Sequence, residues 1–319
     1  MAQHFLLSAA ARTLSLKAVF RMGEDAAYEA FRRMRWPETE GEAVCPSCGC
    51  PDTYNLTSRR RFKCVACYKQ FSVTSGTIFA SRKLSFTDLL AAIVIFVNGA
   101  KGVSALQVSR DLDVQYKTAF VLSHKLREAM ALEAQGRVLD GVVEVDGAYF
   151  GGYVKPANRK TDRVDRRTLV AQNGKRQSVV VIRERDGDTL TFVGKSEAVG
   201  VALVAANVAP GTVVHADEAS HWDKLHARYE TFRINHSEAY SANGACTNQA
   251  ESFFSRLRRA EAGVHHRIAG EYLDAYAGEM AWREDNRRVA NGSQAAMVVR
   301  SAMVSPVSRK WAGYWQREA

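Results

Sequence analysis

Four of the six cysteines stand in a spacing that tightly limits how their segment can fold. Two CxxC pairs are separated by fifteen residues, and they are Cys45 with Cys48 and Cys64 with Cys67. Each pair is a tight turn that offers two sulfurs, and two such turns supply the four thiolates of a closed tetrahedral zinc site. So short a segment buries little apolar surface, and metal binding is therefore expected to supply its folding energy. We predict one structural Zn²⁺ in a zinc ribbon over residues 41–80.

The charge balance favours a polyanionic partner. The 319 residues include 44 Lys and Arg against 34 Asp and Glu, a net charge of +10, and a basic balance of this kind suggests nucleic acid. Residues 155–183 concentrate the charge, with nine basic side chains against two acidic ones. The sequence has no run of 18 uncharged apolar residues and no signal-peptide pattern, so we expect a cytoplasmic protein without a membrane partner.

A helical region follows the cysteine segment. Residues 104–112 and 115–130 predict two helices joined by a tight turn, with apolar side chains on one face of the second helix. The pattern fits a helix-turn-helix over residues 81–135 whose second helix presents Gln115 and Lys117 to DNA. An ordinary helical hairpin in a core is the alternative.

From residue 136 onward, short apolar strands are mixed with helices. Strands are predicted at 142–146, 178–183, 189–193 and 212–217, and helices at 196–208, 248–259 and 269–286. This mixture predicts an α/β domain over residues 136–295. A helical lead-in over 1–40 and a C-terminal tail over 296–319 complete the predicted organisation.

Two of the predicted strands end in a carboxylate. Asp146 and Asp217 each follow an apolar run, and ligands gather at strand ends in open α/β sheets. Neighbouring carboxylates repel unless a cation lies between them, and Mg²⁺ prefers oxygen ligands. Glu251, in the first turn of the predicted helix 248–259, is the candidate third acid of a two-metal site, and Arg258 lies two turns further on the same helix face. A solvated surface position is the alternative for each acid, because the chain contains 34 of them.

Short motifs in chain order extend these observations. They are Arg35-Trp36-Pro37, residues 71–79, Glu144-Val145-Asp146-Gly147, Tyr149-Phe150-Gly151-Gly152, His215-Ala216-Asp217-Glu218, Asn235-His236-Ser237, Thr247-Asn248 with Glu251-Ser252, His265-His266, and Trp282-Arg283 with Asn286-Arg287. With the cysteine pairs, they make residues 27–288 similar to bacterial insertion-sequence transposases that join an N-terminal zinc ribbon to an ISXO-like DDE catalytic domain. The resemblance implies an RNase H-like fold for that domain.

The resemblance also implies metal-dependent cutting and joining of DNA. The DDE acids of the family fall on Asp146, Asp217 and Glu251, which would hold two Mg²⁺ ions, for which Mn²⁺ can substitute. The basic residue of the family, commonly lysine, falls on Arg258, which keeps the charge and changes the contact geometry. The zinc ribbon and the helical region would recognise the terminal inverted repeats of the element, and target DNA would be the second substrate. A homodimer or higher homo-oligomer on DNA at the bacterial nucleoid is expected.

Further residues are candidates for contacts with DNA or for support of the acids. The basic stretch would bind phosphates largely without sequence preference, through Lys155, Arg159, Lys160, Arg163, Arg166 and Arg167. His266, Arg283 and Asn286 would support the acids or contact DNA, and core packing or surface hydrogen bonding is the alternative for each of them.

Two other functions compete with an active transposase. One is a zinc-ribbon DNA-binding regulator, or a domesticated relative, whose catalytic domain is silent. The other is an RNase H-like nuclease that acts on RNA hybrids. The intact set of Asp146, Asp217 and Glu251 favours the active enzyme, and the ribbon and the basic stretch disfavour the hybrid nuclease.

Overall fold

The computed structural model describes residues 4–151, 157–164, 174–234 and 246–317. Within these ranges the α-helices are α1 (Leu16–Arg35), α2 (Phe86–Asn98), α3 (Ala105–Asp111), α4 (Tyr116–Glu133), α5 (Gly200–Asn207), α6 (Asn248–Ala260), α7 (Leu273–Asp285) and α8 (Asn291–Val304). The strands are β1 (Thr53–Leu56), β2 (Arg61–Cys64), β3 (Gln70–Phe71), β4 (Val142–Phe150), β5 (Gln177–Glu184), β6 (Thr189–Gly194), β7 (Val213–Asp217) and β8 (Glu230–Ile234). None of the described helices is long and apolar enough to cross a lipid bilayer.

The chain divides into two compact units. The first combines Met1–Glu133 with Asn286–Ala319, and the second is Ala134–Asp285. We expected the α/β domain to reach residue 295 and a tail to follow, and the structure instead ends the second unit at Asp285. The physical reason is packing, because α8 contacts α1, α2 and α4 of the first unit.

Helix α2 forms the centre of the first unit. Phe86 and all residues over 89–97 are buried. Ser85 Oγ accepts a hydrogen bond from the Asp88 N–H at 2.9 Å, so it caps the helix. Helix α1 packs beside it, and the ring centroids of Phe31 and Phe86 are 5.2 Å apart. A helix this apolar on all sides is stable only inside a core, and α1, α8 and α3 provide its surroundings.

The cysteine segment forms a small antiparallel sheet in the order β1-β2-β3. Its apolar core is a group of three aromatic rings, in which Trp36 lies 5.7 Å from Phe62 and 6.4 Å from Phe71 between ring centroids. The Arg35 guanidinium donates a hydrogen bond of 2.7 Å to the carbonyl of Ser75. So few apolar contacts agree with a segment whose stability depends on metal.

Helices α3 and α4 are joined by a tight turn, as predicted. Asp113 has a φ of +50° in this turn, and Ser104 Oγ caps α3 by accepting from the Gln107 N–H at 3.1 Å. The residues predicted to be a tail pack against α4, because the Trp311 ring stacks on His124 with centroids 4.2 Å apart.

The second unit contains a five-stranded mixed sheet in the order β6-β5-β4-β7-β8. β5 is antiparallel to β4 and β6, while β7 is parallel to both β4 and β8. One face packs against α6 and α7 through Ala148, Phe150, Val179 and Val181. The other face packs against Val204 of α5 and a buried Trp222. This mixed sheet with flanking helices fits the RNase H-like domain that we predicted after a zinc ribbon.

Candidate functional site

The strand register places Asp146 beside Asp217. β4 and β7 are parallel, and Val145 of β4 is paired with Ala216 of β7. The next residue on each strand is therefore an aspartate at the same level. Both side chains lie on the sheet face covered by α6, because the neighbouring Val145 and Ala216 belong to the core of the opposite face.

Helix α6 brings Glu251 to the same place. Its apolar side chains Phe253, Phe254 and Leu257 are buried against the sheet, as expected from the sequence. Glu251 then faces a cleft of about 690 Å³, whose lining is Asp146, Gly147, Ala148, Glu251, Phe254, Ser255, Arg258 and Arg259. The cleft combines carboxylates at its base with two exposed arginines, a suitable arrangement for a metal-bound phosphodiester.

The start of α6 is fixed by a residue that the sequence analysis missed. Thr247 stands at the N-cap position and forms no side-chain hydrogen bond to the helix. The capping group is Glu144, whose Oε2 accepts hydrogen bonds from the N–H groups of Gln249 at 2.7 Å and Ala250 at 3.2 Å. A carboxylate at a helix N-terminus also interacts favourably with the helix dipole. Glu144 stands two residues before Asp146 on β4. The same strand therefore carries Asp146 and binds the first turn of the helix that carries Glu251.

A buried ion-pair network supports this arrangement. Arg185 Nε donates to Glu144 Oε1 at 2.9 Å. Arg183 donates to Glu284 of α7 at 2.9 Å and to the Gln249 side chain of α6 at 2.9 Å, and Arg256 pairs with the same Glu284. The sequence offered one signal for this network, since Glu144 and Arg183 are charges inside otherwise apolar strands, where a buried charge needs a partner.

The electrostatics of the acids favour a bound cation. Burial raises the pKa of Asp146 to about 7, against the effect of a hydrogen bond from the Gly147 N–H. The negative charges of Asp217, Glu197 and Glu251 raise this pKa further. Carboxylates that resist ionisation together are stabilised in their charged form by a divalent ion.

The cysteines and the acids differ in how closely their ligand atoms gather. Within the described ranges, the cysteines are the only group of three or more His, Cys, Asp or Glu whose ligand atoms all lie within 4.8 Å of one another. Asp146 and Glu251 line the cleft together, and Asp217 lies beside Asp146 on the neighbouring strand.

The four cysteine sulfurs converge as a zinc site requires. Cys45 Sγ lies 3.6 Å from Cys67 Sγ, and Cys48 Sγ lies 3.5 Å from Cys64 Sγ. A tetrahedron with Zn–S bonds of about 2.3 Å has edges of about 3.8 Å, close to both distances. The Cys67 N–H donates to Cys64 Sγ, and this hydrogen bond is the main cause that lowers the pKa of Cys64 to about 6. The donor set therefore matches structural Zn²⁺.

The residues predicted to contact DNA are exposed where the structure describes them. Gln115 and Lys117 lie at the start of α4, with the Lys117 ammonium 5.2 Å from the Trp315 ring centroid. Arg159, Lys160 and Arg163 are exposed. The other three, Lys155, Arg166 and Arg167, lie outside the described residues.

The three supporting residues are placed apart from the cleft lining. His266 is exposed, with a φ of +57°, directly after the one-turn π-helix Glu261–His265. Arg283 is buried on α7 and donates to Glu279 at 2.8 Å. The Asn286 carbonyl accepts from the Gln294 side chain within the first unit. Their predicted roles stay predictions.

Comparison with known families gives two matches. A family described as an ISXO2-like transposase domain matches residues 138–285, and a transposase zinc-ribbon domain matches residues 22–70. Together they cover more than half of the chain, and they coincide with the sheet that carries the acids and with the cysteine cluster. Curated proteins give no significant match. The chain therefore carries a transposase zinc-ribbon domain ahead of an ISXO2-like transposase domain.

Proposed function

We propose that this chain cuts DNA at the terminal inverted repeats of an insertion sequence and joins the freed ends to target DNA. The observation that carries the proposal is the strand register that sets Asp146 beside Asp217, together with the cleft that Asp146 and Glu251 both line. These three side chains would hold two Mg²⁺ ions through carboxylate oxygens. When bound, such a pair activates the attacking oxygen and stabilises the leaving oxygen of an in-line displacement.

The residues around the acids position the DNA strand. Arg258 and Arg259 are exposed at the cleft, where their guanidinium groups would hold the phosphates on either side of the scissile bond. Arg258 also lies 6.0 Å from the Phe150 ring centroid, which restricts its direction. Glu144 keeps the first turn of α6 in place, so that Glu251 stays aligned with Asp146.

Two displacements at phosphorus would complete the reaction. In the first, water oxygen bonds to the phosphorus at the element's end and the 3′ oxygen leaves as a 3′-OH. In the second, this 3′-OH bonds to a target phosphorus and displaces the target strand's own 3′ oxygen. Neither displacement requires a covalent bond between protein and DNA, and each exchanges one P–O bond for another.

DNA recognition is assigned to the first unit and to the basic stretch. The zinc ribbon and the exposed start of α4, with Gln115 and Lys117, would distinguish the terminal repeats from other DNA. Arg159, Lys160 and Arg163, with the other basic residues of 155–183, would bind phosphates of any sequence. Arg183 of this stretch is buried with Glu284 and serves the fold instead.

The test scores DNA binding and nicking in the same samples. A labelled fragment that carries the terminal repeat is incubated with the full chain and Mg²⁺ or Mn²⁺. We expect the wild type to bind and nick it, and Asp146→Asn and Glu251→Gln to bind it without nicking. Glu230→Gln, an exposed acid on β8, is the matched control and should nick at the wild-type rate.

The outcomes separate the competing functions. A wild type that binds the ends and never cuts them with either metal would support the silent regulator. Cleavage by Asp146→Asn at the wild-type rate would show that this acid holds no metal and would overturn the proposed mechanism.

A further inference from the structure

Glu197 is an acid near the cleft that the proposed mechanism does not use. It begins the short 3-10 turn Glu197–Val199 between β6 and α5, which Ser196 caps through the Ala198 N–H. The side chain is half-buried. Within the described parts of the chain, its carboxylate has no hydrogen bond and no ion pair. A partly buried carboxylate that accepts no hydrogen bond is costly unless nearby positive charge neutralises it.

The side chain of Glu197 occupies the space that a side chain at Gly147 would fill. A Cβ added to Gly147 would lie 2.3 Å from Cγ of Glu197 and 2.6 Å from its Cδ. Gly147 is an ordinary member of β4, paired with Val180, and its φ lies outside the left-handed region. The glycine is therefore required for the close approach of Glu197 and not for the backbone conformation.

This close approach places Glu197 beside the residue that follows Asp146, on the other face of the sheet. Residues alternate along β4, so Asp146 points toward α6 and Gly147 toward the face covered by α5. β7 ends at Asp217 and its pairing with β4 ends at Val145, so β7 does not pair with Gly147. A glutamate that passes over the bare backbone of Gly147 can reach the end of β7 from the α5 side.

The charges of these groups influence one another. After burial, the charge of Asp217 is the next cause that raises the pKa of Glu197. The charge of Glu197 in turn raises the pKa of Asp146. The positive charge of Arg176 lowers the pKa of Glu197, but burial and Asp217 together outweigh it. Glu197 therefore belongs to the same electrostatic group as the triad.

We propose that Glu197 is a fourth oxygen donor to the divalent ions of the active site and that Gly147 is a glycine in order to admit it. The inference rests on the proposed function, because it assigns Glu197 to ions that the triad would hold. Mg²⁺ takes six oxygen ligands, so an additional carboxylate raises the affinity for the ion even before DNA binds. The competing role is structural, in which the acid only stabilises the N-terminal turn ahead of α5.

The experiment measures metal binding without DNA and without catalysis. Mn²⁺ is titrated into the zinc-loaded full chain, and free Mn²⁺ is followed by electron paramagnetic resonance. We expect Glu197→Gln to weaken Mn²⁺ binding about tenfold and to raise the Mg²⁺ concentration for half-maximal nicking by a similar factor. DNA affinity should be unchanged, and Glu230→Gln should match the wild type in every measurement.

A second variant displaces Glu197 without removing its charge. Gly147→Ala places a methyl group where the Glu197 side chain lies, so it should weaken Mn²⁺ binding as well. Because both changes remove one interaction, adding Gly147→Ala to Glu197→Gln should weaken binding no further. Full additivity of the two changes would overturn the proposed link between these residues.

The results distinguish this inference from the proposed function. Wild-type Mn²⁺ affinity in Glu197→Gln, together with lost affinity in Asp146→Asn, would overturn the role of Glu197 and leave the triad intact. Wild-type affinity in Asp146→Asn and Glu251→Gln would overturn the metal site itself. A structural role predicts a lower melting temperature of metal-free Glu197→Gln with unchanged Mn²⁺ binding. A metal-binding role predicts an equal or higher melting temperature for this metal-free variant, because the negative charge of Glu197 no longer repels the other acids.

Discussion

Replacing Glu144 with glutamine tests whether a buried acid holds the catalytic helix in place. Glu144 is only 1% exposed, and it accepts four hydrogen bonds: two from the first turn of α6, one from Arg185 and one from the Cys246 thiol. Glutamine has the same size, and its carbonyl oxygen can still accept from the helix. Its NH₂ group, however, is a donor, and so is the Arg185 guanidinium that faces it. The ion pair is therefore lost, and these two donors cannot hydrogen-bond to each other.

The size of the effect follows from these contacts. Removing one partner of a buried ion pair lowers the free energy of unfolding by about 3–5 kcal/mol. A helix cap contributes about 1 kcal/mol to the same free energy. Arg185 retains 28% exposure of its side chain, so water solvates part of its charge. We expect the free energy of unfolding of the second unit to fall by about 3 kcal/mol. A freed first turn also moves Glu251, and a misplacement of about 1 Å can slow the reaction about a hundredfold.

Two measurements on the same preparation check this prediction. Urea unfolding in Mg²⁺-free buffer that retains zinc gives the stability, and single-turnover nicking of labelled terminal DNA gives the rate. DNA affinity should not change, because Glu144 is buried and Arg258 stays at the cleft. With Glu230→Gln as the control, a Glu144→Gln variant within about 0.5 kcal/mol of the wild type, nicking at the wild-type rate, would refute the reasoning.

Three further predictions follow from other parts of the chain. The double variant Cys64→Ser, Cys67→Ser should lose its zinc by metal analysis and unfold residues 41–80, and retention of one zinc per chain would contradict the assignment. Burial raises the pKa of Asp285 to about 6, against about 3.9 in the unfolded chain. The folded protein therefore holds this proton more tightly, and about 2 kcal/mol of stability is lost as pH rises from 4 to 7. Asp285→Asn should lack that loss in urea titrations across this range, and parallel pH profiles for the two proteins would argue against it. Changing Arg159, Lys160 and Arg163 to Gln should weaken DNA binding and reduce its salt slope by about 3, and an unchanged slope would exclude phosphate contacts there.

Much of the local structure could be predicted from the sequence. The cysteine spacing predicts a zinc ribbon, and in the structure all four sulfur atoms lie within 4.8 Å of one another. The apolar runs that end in Asp146 and Asp217 predict two strands, and their parallel pairing puts both acids at one level. The apolar spacing of Phe253, Phe254 and Leu257 predicts the buried face of α6, and that face determines the direction of Glu251.

The missed features depend on contacts between distant segments. Glu144 stands in a motif and Glu197 does not, but the role of each depends on which helix or strand lies against it. The strand β8 (Glu230–Ile234) was not predicted. Its five residues include two charges, and the alternation of apolar and polar residues is too short to indicate a strand. The C-terminal residues read as a tail because their aromatic side chains acquire a partner only when α4 is folded beside them.

The most direct test of the central claim is to locate divalent ions at the acids. Crystals of the full chain bound to terminal-repeat DNA are soaked in Mn²⁺, and anomalous scattering locates the ions. We predict two peaks about 3.5–4 Å apart, with oxygen ligands from Asp146, Asp217 and Glu251. Mn²⁺ peaks elsewhere in the complex, with Glu251 turned away from both aspartates, would contradict the account.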